Sequence, residues 1–322
     1  MHPVRRAVVD VGTNSIKLLV ADVSGREVQP VREESKQTRL GRGFYETHRL
    51  QPEAIEATAK TIAEFSETAK KNQAVSIRVI ATSAARDAVN SDELGWAIET
   101  ASGLKMEIIS GEEEAALVFR GVTTDTAYSN EPLLLLDVGG GSTEFILGQG
   151  ERKWFAQSFP LGTVRLLEKN PPSDPPNAEE LLRCRKWVRK FLEREVVPTL
   201  NLEQLDGADP HEFKMGNRLR FVGTGGTTSI LGRMEAKLES YDRTKIEATR
   251  LILERMHWHV EHLWNLPLEK RKHVIGLPPN RADVILMGVV IYEAIMEKFG
   301  FTELRISTRG LRFAAVMAPV GA

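Results

Sequence analysis

The chain has 322 residues, 42% of them hydrophobic and 27% charged, the profile of an ordinary soluble globular protein long enough for two cores. Its formal net charge of -1 excludes nucleic-acid binding by bulk charge, and its single cysteine, Cys184, excludes an internal disulfide and a cysteine-based zinc site. A cytoplasmic setting without membrane contact is expected, because Asp10 interrupts any apolar signal region and the longest leucine run, Leu133 to Leu136, is too short to span a bilayer.

The first half predicts strands near 5–11, 15–22 and 27–35, with Ser24-Gly25 as a hairpin turn. After Gly41-Arg42-Gly43, apolar residues at Ile55, Ala59, Ile62, Phe65 and Ala69 predict a helix over 52–71. A strand over 75–81, a helix from about Asp87 and a strand over 105–109 follow, and Ser110-Gly111 opens a helix carrying Glu112, Glu113 and Glu114. The polar stretch 123–131 reads as the crossing between two domains. Beyond it come strands near 133–137, 144–147 and 153–158, a proline-rich loop over 171–176, and a long helix ending before Pro198. Strand 220–222 then feeds a glycine turn over 223–228, and a last strand, 304–307, precedes Gly310 and a short apolar helix. The pattern is α/β with two sheets.

Two of these stretches are one device written twice. AVVDVGTNSIKLLVAD from Ala7 aligns with LLLLDVGGGSTEFILG from Leu133, placing Asp10 on Asp137, Gly12 on Gly139 and Ser15 on Ser142. Each is a strand ending in Asp-Val-Gly, a turn of small residues, and a second strand. Such turns gather backbone N–H groups into a concavity for an anion, and an aspartate at the strand end can hold a cation. The repeat therefore predicts two related domains with phosphate turns facing across a cleft, residues 1–125 and 126–300, the segment 301–322 returning to the first.

The cradle residues are Gly12, Thr13, Asn14 and Ser15 in the first turn, Gly139, Gly140, Gly141, Ser142 and Thr143 in the second, and Gly223, Thr224, Gly225 and Gly226 in the third. Asp137 and Glu144 end one strand and start the next, so a hairpin brings both carboxylates to the loop mouth, a hard-oxygen set suited to Mg²⁺. Asp10 could approach that metal or simply cap its turn. On a helix, Glu114 shares a face with Leu117, Val118 and Gly121 while Glu112 and Glu113 are rotated off it, so Glu114 is the expected general base. Two basic stretches, Arg183, Lys186, Lys190 and Arg194 at helical spacing and Lys270 to His273 in a run, read as solvated faces or as guides for a polyanion.

The order DVGTNS, DVGGGST, GTGGTT resembles the phosphate loops of the actin, Hsp70 and sugar-kinase superfamily, whose domains are ribonuclease H-like. TRLGRGF, ATSAARDAVN, ISGEEEAALVFRGV, LLDVGGGSTEF, SFPLGTVRL and ISTRGLR together resemble the exopolyphosphatase and guanosine pentaphosphate phosphohydrolase (Ppx/GppA) family over nearly the whole chain. Two positions depart from that family's pattern, Ala116 after the glutamates and Lys17 after the first turn. The resemblance implies Mg²⁺-dependent release of terminal phosphate from inorganic polyphosphate, with pppGpp as alternative substrate. It also implies Glu114 as catalytic base, Arg86 as a phosphate ligand, and Asp137 with Glu144 on the metal. A homodimer is compatible with it. A nucleotide-dependent chaperone or a non-catalytic sensor of the same fold would leave ISGEEEA without a role.

Overall fold

The structure, a computed structural model, describes residues 2–200 and 219–318. It divides into two compact units, one running to Thr126 and resuming at Arg309, the other Ala127–Thr308.

In the first unit, strands β1 (Val4–Val11), β2 (Ile16–Ser24) and β3 (Glu27–Lys36) form an antiparallel meander, and β4 (Ile77–Ala81) and β5 (Met106–Ile108) extend it in the order β3-β2-β1-β4-β5. Ala7, Val8 and Val9 are buried in succession, as a central strand covered on both faces requires. Strands β1, β4 and β5 are parallel, and Val11 pairs with Ala81 and Ala81 with Ile108, so their C-terminal ends are level. Every chain segment leaving those ends starts at one edge of the sheet, the edge where ligands gather in such folds. Helix α1 (Pro52–Lys71) buries Ile55, Ala59, Ile62, Phe65 and Ala69 as its periodicity predicts. Helices α2 (Ser83–Asp87), α3 (Ser91–Ser102) and α4 (Gly111–Val122) follow.

The second unit has six strands in the order β10-β11-β9-β6-β7-β8. They are β6 (Leu133–Val138), β7 (Thr143–Gln149), β8 (Arg152–Phe159), β9 (Arg220–Thr224), β10 (Arg250–Ile252) and β11 (Glu303–Ile306). Its helices are α5 (Thr163–Lys169), α6 (Ala178–Phe191, prolonged by a π turn over Leu192–Val196), α7 (Gly225–Glu235), α8 (Arg243–Ala248), α9 (Leu253–Trp264), α10 (Leu268–Arg271) and α11 (Ile285–Phe299). Helix α11 is buried continuously from Ile285 to Met296 and is the axis of this core. A closing helix, α12 (Leu311–Ala315), belongs to the first unit and packs on α4.

Two expectations are corrected. The last strand does not join the first sheet: Glu303–Ile306 pairs in parallel with β9 and antiparallel with β10, because Leu304 and Ile306 are both buried in the second core, and only residues from Arg309 return. The helix expected from Asp87 is instead a short helix ending there and a second starting at Ser91. The buried Asn90 side chain holds the break by accepting from the Leu50 N–H at 2.9 Å and donating to the Leu50 carbonyl at 3.1 Å. Among the described residues no helix is long and apolar enough to cross a membrane.

Candidate active site

A planar trans peptide points the carbonyl of one residue and the N–H of the next in opposite directions, so fixing the first aims the second. In the second unit the Gly139 carbonyl accepts from Thr163 N–H (3.0 Å) and the Gly140 carbonyl from Val164 and Arg165 N–H (2.8 and 3.1 Å). The Gly141 carbonyl accepts from Arg165 Nε (2.8 Å). Three consecutive carbonyls are therefore held against the start of α5, and the N–H groups of Gly140, Gly141 and Ser142 are turned the other way. These three amides form a nest for an anion.

The first unit does the same with different residues. The Thr13 carbonyl accepts from Gly41 N–H (2.7 Å) and the Asn14 carbonyl from Arg39 N–H (3.1 Å), which turns the N–H groups of Asn14 and Ser15 outward. Gly12 N–H and Gly139 N–H close their turns on the carbonyls of Ser15 and Ser142 at 3.1 and 2.9 Å. Asn14 is buried, its Oδ1 accepting from Gln37 and its Nδ2 lacking a partner among the described residues.

The backing segments are Leu40-Gly41 and Leu161-Gly162, within the TRLGRGF and SFPLGTVRL blocks, to which the sequence alone assigns no role. Each is a Leu-Gly pair following the third strand of its meander. A Cβ on Gly162 would overlap the backbone of Gly140 and Gly141, and one on Gly41 would overlap the Thr13 side chain. Only a bare backbone lets the segment approach closely enough to take the loop's carbonyls. The repeated dipeptide was the signal available in sequence. Thr143 braces this arrangement, donating its hydroxyl to the Leu161 carbonyl.

At the level edge of the first sheet, α4 starts with a capping box: Ser110 Oγ accepts from Glu113 N–H, and the Glu113 carboxylate accepts from Ser110 N–H at 2.8 Å. That bond holds the Glu113 carboxyl below its usual range. Glu112 and Glu113 are exposed while Glu114 is 8% exposed, as the helix-face argument expects. Arg86, on α2, donates from Nη1 to Glu114 Oε2 at 2.9 Å and to the Ile109 carbonyl at 3.1 Å. Both hydrogens of Nη1 are thereby spent, and Nε lies 4.0 Å from Asp87. Nη2 has no partner among the described residues, so the guanidinium is anchored at one corner with its outer edge available for a phosphate fork.

In the second unit Asp137 and Glu144 are direct cross-strand partners, with their side chains on one face of the hairpin. Glu144 is buried rather than at an open loop mouth, its Oε1 accepting from Ser142 Oγ (2.8 Å) and Ser158 Oγ (2.7 Å). The third glycine segment is the junction of β9 and α7. Gly225 has φ +83° and a Cβ there would overlap Asp137 Oδ1, so the helix start is pressed against that carboxylate. Thr227 Oγ1 donates to the Val138 carbonyl (2.9 Å), tying α7 to the second loop. Gly226 sits in the first turn of α7, whereas Gly223 is inside β9 against Thr228 and Tyr292, and Thr224 is fully buried with its carbonyl accepting from Thr228. Two acidic side chains of hard oxygen donors on one face, one of them oriented by two serines, fit a divalent cation.

Asp10 faces Lys17 across the first hairpin. Burial pushes its carboxyl above the usual range, opposed by Lys17 and Arg312. Cys184 is buried beside Met287, its thiol pushed up to about 12 mainly by burial, which removes it from nucleophilic chemistry. Arg183, Lys186, Lys190 and Arg194 are all exposed, and Arg271 in the second basic run is buried. A cluster of His257, Glu293 and Glu297 is an ion-pair network. Arg185 grips both oxygens of Glu293 at 2.7 Å, and Arg189 holds Glu297 at 2.7 Å.

Two α/β units, each a meander whose first turn is a nest of outward amides, define the actin-like class of phosphate-handling enzymes. The chain belongs to the Ppx/GppA phosphatase family, which residues 19–317 match, and is a phosphoanhydride hydrolase. Exopolyphosphatase 2 of Mycobacterium tuberculosis (strain ATCC 25618 / H37Rv) is 34% identical over 319 residues, 94% of each chain. The Aquifex aeolicus PPX-GPPA enzyme matches with a TM-score of 0.76 at 28% identity, over 98% of this chain and 100% of that one. An exopolyphosphatase from Cytophaga hutchinsonii ATCC 33406 shares the fold, with a TM-score of 0.83 at 24% identity over 96% of both chains.

Gly162→Ala is expected to cost about 1–3 kcal/mol in urea unfolding, since the backbone of Gly140 and Gly141 cannot yield as a side chain can, and to lower activity by disturbing the nest. Gly41→Ala, which meets mainly the Thr13 side chain, should cost less; equal wild-type stability in Gly162→Ala would contradict the backing role.

A raised carboxyl pKa means that the folded state binds the Asp10 proton more tightly, so ionisation of Asp10 weakens folding as pH rises through and above the unfolded value of about 4. Asp10→Asn should therefore raise Tm at pH 7, and the gain should shrink toward zero as pH falls below about 4. A Tm unchanged or lowered at pH 7 would contradict the burial argument.

Proposed function

We propose that the protein is an exopolyphosphatase that releases orthophosphate from the ends of inorganic polyphosphate with Mg²⁺ as cofactor. The observation that carries this reading is the Arg86–Glu114 pair, a buried carboxylate and an anchored guanidinium at the edge where β1 delivers the first nest. Two nests, an arginine fork and a carboxylate pair are recognition elements for repeated phosphates, and the Mycobacterium tuberculosis relative is called an exopolyphosphatase. Nothing among them obliges a base or ribose.

In this reading the outer edge of Arg86 holds the terminal phosphate, and the nest amides take its neighbours' oxygens. Glu114, oriented by Arg86, accepts a proton from a water whose oxygen forms the new bond to the end phosphorus. The bridging P–O bond breaks, and the shortened chain departs with that electron pair. Asp137 and Glu144 would hold Mg²⁺, whose charge, when it is bound, neutralises phosphate oxygens. Gly225 keeps the helix start close on Asp137, and Ser142 and Ser158 orient Glu144.

Glu114→Gln removes the proton acceptor but leaves an oxygen for Arg86, so kcat should fall about 10²- to 10⁴-fold with KM little changed, whereas the exposed Glu112→Gln should be nearly silent. Equal activities for the two variants would refute the assignment. Glu144→Gln and Asp137→Asn should each lose activity and shift the Mg²⁺ titration to higher concentration while circular dichroism stays native. Full wild-type turnover in excess chelator would exclude the metal.

Substrate choice is read by phosphate release from polyphosphate, pppGpp and ATP at matched terminal-phosphate concentration. Polyphosphate should give the highest kcat/KM, and a higher value for pppGpp than for every polyphosphate length would overturn the proposal.

A further inference from the structure

The first unit carries an apolar groove, about 900 Å³, between α1 and α3, unconnected with any group used above. Alanines line it from both helices, Ala59 and Ala63 from α1 with Ala97 and Ala101 from α3. Small residues on two neighbouring helices leave a channel where larger ones would have closed it. Trp96 stands along the channel at 72% exposure, the largest exposure of any tryptophan among the described residues. An indole left in water beside an apolar channel is apolar surface of the kind that an amphipathic helix can cover. The rim is mainly acidic: Glu56 and Asp92 have no basic partner among the described residues, Glu93 pairs with Arg49, and Lys60 is the one lining base.

The complement lies on α6, whose basic stripe the catalytic reading leaves unused. Leu182 is 64% exposed there, and Lys186 and Lys190 follow at intervals of four, placing all three along one face of the helix. Neither lysine has an acidic partner among the described residues, and Arg183, beside them, is 4.0 Å from its one acid, Glu180. The acids of this helix are Glu179 and Glu180 in its first turn, and beyond it Glu193 is taken by Lys298 at 3.3 Å. An exposed leucine with unpaired cations thus matches a tryptophan-lined channel with unpaired carboxylates.

We infer that α6 of one copy of this chain docks into the α1/α3 groove of a second copy, Leu182 against Trp96 and Lys186 with Lys190 against Glu56 and Asp92. The two surfaces belong to different parts of the chain, so the contact is heterologous and each copy keeps one groove and one stripe to offer, giving a ring or an open chain. The near-neutral net charge, -1, does not oppose such self-association.

Complementation of variants tests this. Lys186→Gln with Lys190→Gln disables the stripe and Glu56→Gln with Asp92→Asn disables the groove, neutral changes that create no new complementary pair in a mixture; all four are surface positions, and the Tm of each double variant reports its folding. In sedimentation velocity over the micromolar range, the wild type should grow in mass with concentration, and each variant alone should associate at least tenfold more weakly. An equimolar mixture should form a 1:1 dimer that grows no further, because one intact stripe meets one intact groove. A wild type monomeric throughout that range, variants that associate like the wild type, or a mixture that stays monomeric would each overturn the inference.

Discussion

The constraint on which the site rests is the planarity of the peptide bond acting on loops whose carbonyls are already engaged. The first turn of α5, brought close by the bare Gly162, and Gly41 with Arg39 take the carbonyls of the two glycine loops, and the amides have no choice but to face the other way. The amide donors are therefore aimed before any ligand arrives, at a cost in bare backbone at Gly41 and Gly162. Preorganised donors of this kind need not reorient as charge shifts during phosphoryl transfer.

The sheets then decide what stands next to each nest. Because Val11, Ala81 and Ile108 are level, the turn after β1, the arginine of α2 and the glutamate of α4 all leave from one edge of the first unit. In the second unit, Asp137 pairs with Glu144 on one side and Thr224 on the other, which brings the metal-type carboxylates and the start of α7 to the second nest. The Arg86–Glu114 contact ties the two proposed roles, substrate grip and base, into a single object: the carboxylate anchors the guanidinium and the guanidinium orients the carboxylate. Losing either should disturb the other, as neighbours in one network do.

Much of this was legible from sequence where the determinant is local. The doubled Asp-Val-Gly hairpin, the helix over 52–71 and the inward choice of Glu114 over Glu112 and Glu113 all follow from periods of two or 3.6 residues and from turn chemistry. What was missed acts through space. The last strand joins the second sheet through parallel pairing with β9, and neither partner's sequence names the other. Burial of Glu144 depends on Ser158, which arrives on β8, and Gly223 proves to be inside a strand because Tyr292 of α11 fills the space beside it. The Leu-Gly backing was visible only as a repeated dipeptide whose meaning needs the hydrogen bonds.

The outward amides can be observed one by one. In ¹⁵N–¹H correlation spectra of the full chain titrated with inorganic tripolyphosphate, the amides of Gly140, Gly141, Ser142, Asn14 and Ser15 should move downfield as they gain a charged acceptor, while those of Gly12 and Gly139, committed to Ser15 and Ser142, should stay in place. Shifts confined to the exposed basic stripe of α6, with the loop amides unmoved, would contradict the account.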